Sequence, residues 1–339
     1  MRNQLFWGAI LVVLGAGEAQ ALTFGGTSTQ GLSMDAGIEV YGRGRTRRPD
    51  GGEVTWDAQL TRARLKLSFR YGTWIRADLE PDFGGGEVDL ADAFLAITPI
   101  QPLEIRLGQA KTPFGVLEIE GRWRLPAIRR GLISDVVMDR LGFGRRKFGG
   151  KLSWKERSLL FKPELELGIY ADSGEDQPED IAGRLSAKLT KGLEVHLSGY
   201  SRAGAGTGDA RGHAGAVSAL FDRKAWYLTG EFLAGRARLL SVTGVSTGVD
   251  ANFLGVRLLG SYRFKPSDDH WLEPFLGGEL YDPNLSTRDD RNVAYRLGLN
   301  YWWIKRFRLA AEYERQTGEL GAVARGQSTV SVFAGIRLE

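Results

Sequence analysis

From residue 32 onward, apolar and polar residues alternate with a period of two along most of this chain. Leu32, Met34, Ala36, Ile38 and Val40 interleave with Ser33, Asp35, Gly37 and Glu39. Ala63, Leu65, Leu67, Phe69 and Tyr71 do the same with Arg62, Arg64, Lys66, Ser68 and Arg70. After Gly72 the pattern resumes, with Ile75, Ala77, Leu79 and Phe83 set against Trp74, Arg76, Asp78, Glu80 and Asp82. Successive side chains of an extended strand point to opposite faces, so these runs predict strands with one apolar and one polar face. Further runs near 88–98, 102–111, 146–154, 159–170, 181–190, 193–202, 212–221, 224–234, 249–263, 270–281, 291–303, 306–316 and 327–338 bring the total to sixteen. An even count of runs, each about 9–11 residues long, suits a closed single-chain barrel whose strands cross an apolar layer at a tilt. The expected fold is all-β: a closed antiparallel transmembrane β-barrel of 16 strands, with Leu32–Tyr41 pairing with Ser328–Leu338.

The hairpin around Gly72 also carries a charge code. With the turn centred there, Arg62 faces Asp82, Arg64 faces Glu80 and Lys66 faces Asp78, and opposite charges across a ladder favour that register. Turn lengths sort by parity. Those at Gly72, Pro99–Gln101, Lys155–Ser158, Lys191-Gly192, Asp222-Arg223, Lys265–Asp269 and Ile304-Lys305 are short. The alternate set, near 42–56, 84–87, 112–145, 171–180, 203–211, 235–248, 282–290 and 317–326, is longer except for the second. Outer-membrane barrels keep short periplasmic turns and longer extracellular loops, whereas a soluble sandwich has no reason to sort its loops. Tyr71, Trp74, Trp154, Trp226, Tyr262, Trp271, Tyr301, Trp302 and Trp303 lie beside the short turns, where amphipathic rings form an interfacial girdle.

One stretch does not alternate. Lys111–Lys147 mixes Trp123, Leu125, Ile128, Leu132, Ile133, Val136, Val137 and Phe143 with Arg122, Arg124, Arg129, Arg130, Arg140, Arg145 and Arg146. It is too long for an ordinary connection and too apolar to remain solvated. Residues 112–145, the long third extracellular loop, are therefore expected to fold into the lumen as a constriction.

The N-terminus places Arg2 before an apolar run, Leu5–Leu14, and a small-x-small site at Ala19-Gln20-Ala21, the layout of a signal peptide over 1–21. The barrel then occupies 22–339, exported to the outer membrane of a Gram-negative type of cell. No later stretch supplies the ~20 apolar residues of a spanning helix. Cysteine is absent, so disulfides hold nothing together. Abundant glycine and aromatic residues with a polar average suit a barrel whose lumenal half is polar, and a soluble all-β protein shares that composition. The net charge of +4 is small for 339 residues and argues against a nucleic-acid partner.

Arg62, Arg64, Arg184, Arg257 and Arg296 fall near mid-strand on polar faces, and pairing is expected there: Arg64 with Glu80, and Arg296 with Glu312 or Glu314. Arg122, Arg124, Arg129 and Arg130 have only Glu118, Glu120 and Asp135 nearby, so the loop is expected to keep uncompensated positive charge. Guanidinium forks in a narrow pore bind oxyanions and exclude cations. His196, His213 and His270 form no evident triad with a serine, which disfavours an outer-membrane lipid hydrolase and catalysis in general. The glycine-rich run Gly204–Gly208 lies between strands with no helix to receive a phosphate, and reads as a loop. No cofactor or metal site is evident. A structural or adhesive barrel without conductance remains an alternative.

Three stretches resemble the phosphate-selective porins O and P: Leu60-Thr61-Arg62-Ala63-Arg64-Leu65, the run Leu107–Glu118 containing Lys111-Thr112-Pro113-Phe114-Gly115, and Leu297-Gly298-Leu299-Asn300-Tyr301-Trp302-Trp303 followed by Ala310–Arg315. The resemblance implies a sixteen-stranded trimeric outer-membrane channel for small hydrophilic solutes, with the third loop inside the pore and inorganic anions such as phosphate as cargo. Arg62, Arg64, Lys111, Arg122, Arg124, Arg129 and Arg130 are the expected ion-binding residues. Two departures stand out. The chain ends Gly335-Ile336-Arg337-Leu338-Glu339 without the terminal aromatic usual in such barrels, and no dense arginine ladder is present.

Overall fold

The computed structural model describes residues 23–24, 32–171, 180–202, 212–240, 246–287, 290–318 and 326–338. The segment expected as a signal peptide (1–21), the loop expected at 203–211 (with the run Gly204–Gly208), and residues 172–179 and 319–325 of the loops expected at 171–180 and 317–326 lie outside them. Sixteen strands form one closed antiparallel sheet: β1 Leu32–Pro49, β2 Thr55–Tyr71, β3 Ile75–Asp82, β4 Asp89–Ile100, β5 Leu103–Lys111, β6 Arg146–Lys155, β7 Glu164–Ala171, β8 Asp180–Thr190, β9 Leu193–Arg202, β10 Gly212–Arg223, β11 Trp226–Leu240, β12 Ser246–Tyr262, β13 His270–Asp282, β14 Asn292–Trp303, β15 Phe307–Thr317 and β16 Gln327–Leu338. Each strand pairs with the next, and β16 returns to β1, from Gln327 opposite Pro49 to Leu338 opposite Ile38. Closure leaves no open edge on which backbone groups would stay unpaired.

The alternation in sequence becomes an inside and an outside. Leu197, Val217, Phe232, Leu258, Leu276 and Leu297 point outward and are exposed, while Glu231, Arg257, Glu279, Arg296 and Glu312 point inward and are buried. This inverts the arrangement of a water-soluble protein, and it fits a wall with an apolar solvent outside.

Several registers differ from expectation. The segment expected as a first loop, 42–56, is mostly hairpin: β1 runs to Pro49 and β2 starts at Thr55. Its period-two pattern is written in Gly and Arg rather than in apolar residues, and Asp57 takes Arg45 at 2.5 Å and Arg47 at 3.4 Å. A bulge opposite Tyr41 and Gly42 leaves Thr61 unpaired, which turns Asp57 instead of a neighbour toward these arginines. Similarly, β11 runs on to Leu240 and β12 starts at Ser246, inside the loop expected at 235–248. Because β1 is longer than expected, β16 closes on residues 38–49 rather than 32–41.

The β2–β3 hairpin is shifted by two residues, with Arg64 opposite Asp82 and Ser68 opposite Asp78. The turn takes residues 72–74 rather than centring on Gly72. A two-residue shift keeps every side chain on its face, so the diagonal contact of Arg64 with Glu80 survives at 3.4 Å beside the direct one with Asp82 at 2.8 Å.

Loop lengths sort less cleanly than expected, since the turns at 156–163 and 263–269 exceed the 50–54 connection. Tyr71, Trp74, Trp154, Trp226 and Trp303 are exposed beside short turns. Trp302 is not part of that girdle. It points inward, packs edge-on to Trp123 at 5.4 Å and donates its indole N–H to Glu273 at 3.0 Å.

Inward glycines let the wall approach itself closely. Gly108, at φ +126°, lies opposite Phe94 and Gly149, and a Cβ there would sit 2.3 Å from the Ala93 carbonyl oxygen. Gly108→Val is therefore expected to destabilise the barrel by about 2–4 kcal/mol, through backbone strain plus overpacking. The urea unfolding midpoint in detergent micelles measures this, and an unchanged midpoint contradicts it.

Candidate solute pathway

Residues 112–145 have no strand partner along most of their length, so their backbone groups must be satisfied elsewhere. The inner wall does this with buried side chains. Glu231 accepts from the Val116 N–H at 2.6 Å, Glu312 from Ile128 at 2.7 Å and Glu279 from Ile133 at 2.8 Å. In the other direction, Arg296 donates to the Arg129 carbonyl at 2.9 Å, while Asn300 donates to the Pro126 carbonyl at 2.9 Å and Arg308 donates to it as well. Most of these anchors are themselves held by a neighbour. Arg257 binds Glu231 at 2.6 Å, Arg296 binds Glu279 and Glu314, and Arg308 Nε donates to Asn300 at 3.0 Å.

The apolar residues of the segment fill the space above these anchors. Phe114, Ile133, Val137, Met138 and Phe143 pack in one cluster with Tyr200, Leu233, Phe253 and Tyr281 of the wall. Phe143 meets Tyr200 edge-on at 5.8 Å and lies 5.9 Å from Phe253. A second cluster joins Val116, Leu117 and Leu125 to Tyr227 and Phe275, and a third joins Trp123 and Ile128 to Tyr41, Trp302 and Phe333.

Space remains on the other side. A cavity of about 270 Å³ lies between the segment and the wall formed by β1–β6, with Arg337 of β16 beside it. Eight of its lining residues are basic: Arg62, Arg64, Lys66, Lys111, Arg122, Arg130, Arg146 and Arg337. Three are acidic: Glu39, Glu80 and Asp92. A second cavity of about 180 Å³ shares Asp92, Lys111 and Ile119 with the first and adds Arg106, Lys151 and Glu166.

The basic groups are held in two ways. Wall arginines lean on carboxylates: Arg62 on Glu39 at 2.8 Å, Arg64 on Asp82 at 2.8 Å, and Arg146 on Asp92 at 2.6 Å. Loop-side cations lean mainly on carbonyl oxygens. Lys111 donates to the carbonyls of Ile119 at 3.0 Å and Glu120 at 3.1 Å, and Arg130 to those of Leu117 at 2.8 Å and Glu120 at 2.9 Å. A carboxylate cancels the field of the cation it holds, whereas a carbonyl orients it and leaves the charge in place. Arg130 also has the Glu118 carboxylate at 3.6 Å. Arg122 makes no ion pair among the described residues, and its Nε is buried without a partner. Burial, with Arg122 and Arg62 close by, moves the Arg130 guanidinium below its usual value, and arginine stays charged nonetheless.

Arg62, Arg64, Lys111, Arg122 and Arg130, all expected as ion-binding residues, are thus gathered around one cavity. Arg124 and Arg129 are not. Arg124 is exposed and paired with Glu120 at 3.4 Å and Asp222 at 3.5 Å, and Arg129 is paired with Asp135 and with Glu314 at 3.5 Å. The expectation that the loop arginines lack partners therefore fails for Arg124, Arg129 and Arg130. Asp222 and Glu314, far away in sequence, supply two of the missing carboxylates. Pairing of the wall arginines is observed for all five named: Arg184 meets Glu166, and Arg296 meets Glu314 at 3.1 Å. Lys66, Arg146 and Arg337 also line the cavity, and only their alternation with apolar neighbours, or proximity to the loop, could have marked them.

Among the described residues one serine–histidine contact occurs, Ser201 Oγ to His213 Nδ1 at 3.1 Å. Among the described residues no carboxylate or amide orients that ring, so the third member of a triad is missing. His270 contacts the Tyr301 hydroxyl at 2.7 Å, and both ring nitrogens of His196 lack partners.

No family model and no curated protein matches this chain. Solved structures do. The anion-selective porin of Comamonas acidovorans is similar with a TM-score of 0.67 at 15% identity, covering 91% of this chain and 100% of that one. OmpF of Salmonella typhi, in complex with daunomycin, gives 0.67 at 12% identity, covering 91% and 98%. The outer membrane channel DcaP of Acinetobacter baumannii gives 0.61 at 13%, covering 93% and 99%. The fold is that of the outer-membrane porins.

Gly131 tests the anchoring. Its φ is +104°, and a Cβ there would fall 1.8 Å from Glu279 Oε1 and 2.0 Å from Arg296 Nη2. Gly131→Ala is expected to release this part of the segment and to speed amide hydrogen exchange at Ile128 and Ile133 by about tenfold or more. Unchanged exchange contradicts the anchoring role.

A pH dependence follows as well. Burial, opposed by Arg129 and reinforced by Glu314, raises Asp135 to about 6. A carboxyl whose folded pKa lies above its unfolded value stabilises most when protonated. Its contribution is full below about pH 4 and fades as pH rises through about 6. Asp135→Asn should flatten this part of the pH dependence of the urea midpoint, and equal slopes in the two proteins contradict it.

Proposed function

We propose that this protein is an outer-membrane porin: a passive channel for small hydrophilic solutes that prefers anions, with phosphate-like oxyanions as the favoured class. One observation carries the reading: eight basic residues against three acidic ones line the cavity between the inner segment and β1–β6. Arg122 makes no ion pair there among the described residues, and Arg130 is held chiefly by carbonyls, with the Glu118 carboxylate further off at 3.6 Å. Fixed positive charge at a narrow, poorly screened point raises local anion concentration and repels cations. Residues 112–145 act as the constriction in this reading. The similarity to an anion-selective porin fits it, as does the sequence resemblance to phosphate-selective porins. The same reading makes residues 1–21 a cleaved export signal, the long-loop end extracellular and the assembly a homotrimer. A structural barrel is the alternative, and conductance separates the two.

The test is the zero-current potential of the purified protein in a planar bilayer under a salt gradient. Arg122→Glu should lower the anion-to-cation permeability ratio by about twofold or more, with a larger effect at low salt. Arg124→Glu, at a residue outside the cavity and paired with Asp222, should change it far less. Absence of conductance sinks the channel reading. Equal effects of the two substitutions sink the role given to the cavity.

A further inference from the structure

Of the turns at the short-turn end of the barrel, 156–163 differs from the rest by carrying three consecutive exposed apolar residues. Leu159 is 53% exposed, Leu160 84% and Phe161 49%. A loose loop could fold such side chains back, but this one is pinned. Glu156 N–H donates to the Pro163 carbonyl at 3.0 Å, Lys162 N–H to Leu159 at 3.0 Å, and Lys188 N–H of β8 to Phe161 at 2.8 Å. The Glu156 carboxylate accepts from both the N–H and the hydroxyl of Ser158. Exposure of the tip is therefore built into the backbone.

What lies around the tip indicates what covers it. The tip closes the β6–β7 hairpin, whose outward residues Trp154, Leu165, Leu167 and Ile169 are exposed, and its backbone is held by Lys188 of β8, so it adjoins the apolar outer wall. Exposed Arg157, Lys162 and Lys191 flank it, and none of the three is ion-paired among the described residues. Of the neighbouring acids, Glu164 pairs with Lys155 and Glu194 with Lys188, each at 2.8 Å, which leaves the Glu156 carboxylate, held by Ser158, as one negative charge against three cations. Apolar side chains flanked by an excess of cations, next to a lipid-facing wall, match the boundary between acyl chains and anionic headgroups.

We propose that the 156–163 turn inserts Leu159, Leu160 and Phe161 into the membrane interface, where Arg157, Lys162 and Lys191 bind anionic phospholipid headgroups of the leaflet at the short-turn end. The proposal rests on the reading of the outer wall as bilayer-facing. Cysteine is absent from the chain, so single-cysteine variants can be spin-labelled at one position. Leu160→Cys reports the tip, Leu167→Cys the lipid-facing wall, and Ser286→Cys an exposed loop at the opposite end. Each is reconstituted in phosphatidylcholine vesicles with and without phosphatidylglycerol, and collision with a water-soluble nickel chelate is compared with collision with oxygen.

With phosphatidylglycerol present, the label at 160 should resemble the one at 167 in its shielding from nickel. Arg157→Gln/Lys162→Gln/Lys191→Gln in the Leu160→Cys background should restore nickel access severalfold. If 160 behaves like 286 while 167 is shielded, the tip stands in water and the inference falls alone. If 167 is also open to nickel, the bilayer-facing reading falls first. Shielding at 160 that ignores phosphatidylglycerol and the triple substitution overturns the headgroup contact. Spin–spin broadening at 160 assigns the tip to a second copy of the chain and overturns the proposal.

Discussion

Three buried glutamates, Glu231, Glu279 and Glu312, take backbone N–H groups from a segment that has no neighbouring strand to take them. An amide N–H left unpaired inside a protein costs about 1–3 kcal/mol, and a carboxylate buried without partners costs more. Each cures the other. Arg257 beside Glu231 and Arg296 beside Glu279 complete the arrangement, so this part of the inner wall is a set of ion pairs with spare acceptors rather than a row of neutralised charges.

That anchoring fixes where the interior is closed and where it is open. On the side of β9–β13, aromatic and aliphatic groups of the segment and the wall form a continuous cluster around Phe114, Phe143 and Phe253. Opposite, against β1–β6, charged groups face one another across cavities of about 270 and 180 Å³. Any aqueous route past the segment is thereby off-centre and bounded by basic side chains. The chemistry of the route follows from how those side chains are held. Arg62 and Arg64 are locked by acids from adjacent strands, while Lys111 and Arg130 are held mainly by carbonyls of residues 117–120 in the segment. Arginine thus has two kinds of partner here, carboxylates on the wall and mainly carbonyls on the segment.

The strand pattern was legible because alternation is local. Whether Leu65 or Lys66 faces outward depends only on parity within one strand, and a register shift of two in the β2–β3 hairpin did not disturb it. Where the alternation uses Gly and Arg instead of apolar residues, between Gly42 and Pro49, it carries no apolar face, and the sequence there resembles a loop although it forms a strand. Trp302 was misplaced for a related reason. Proximity to a turn suggests an interfacial ring, but its parity is that of Asn300, a buried inward residue.

Of the candidate site, the sequence determined that an arginine-rich, apolar, non-alternating segment interrupts a closed wall, and that Arg62, Arg64, Lys111, Arg122 and Arg130 are available to it. Only the tertiary structure decided which of them a carboxylate holds. Ile128 meets Glu312 across 184 residues and Arg129 meets Glu314 across 185, so no inspection of nearby carboxylates could have found these partners. Periodicity is a property of neighbouring residues and survives in the sequence. Charge compensation is a property of distances in space, and those exist only once the last strand has closed on the first.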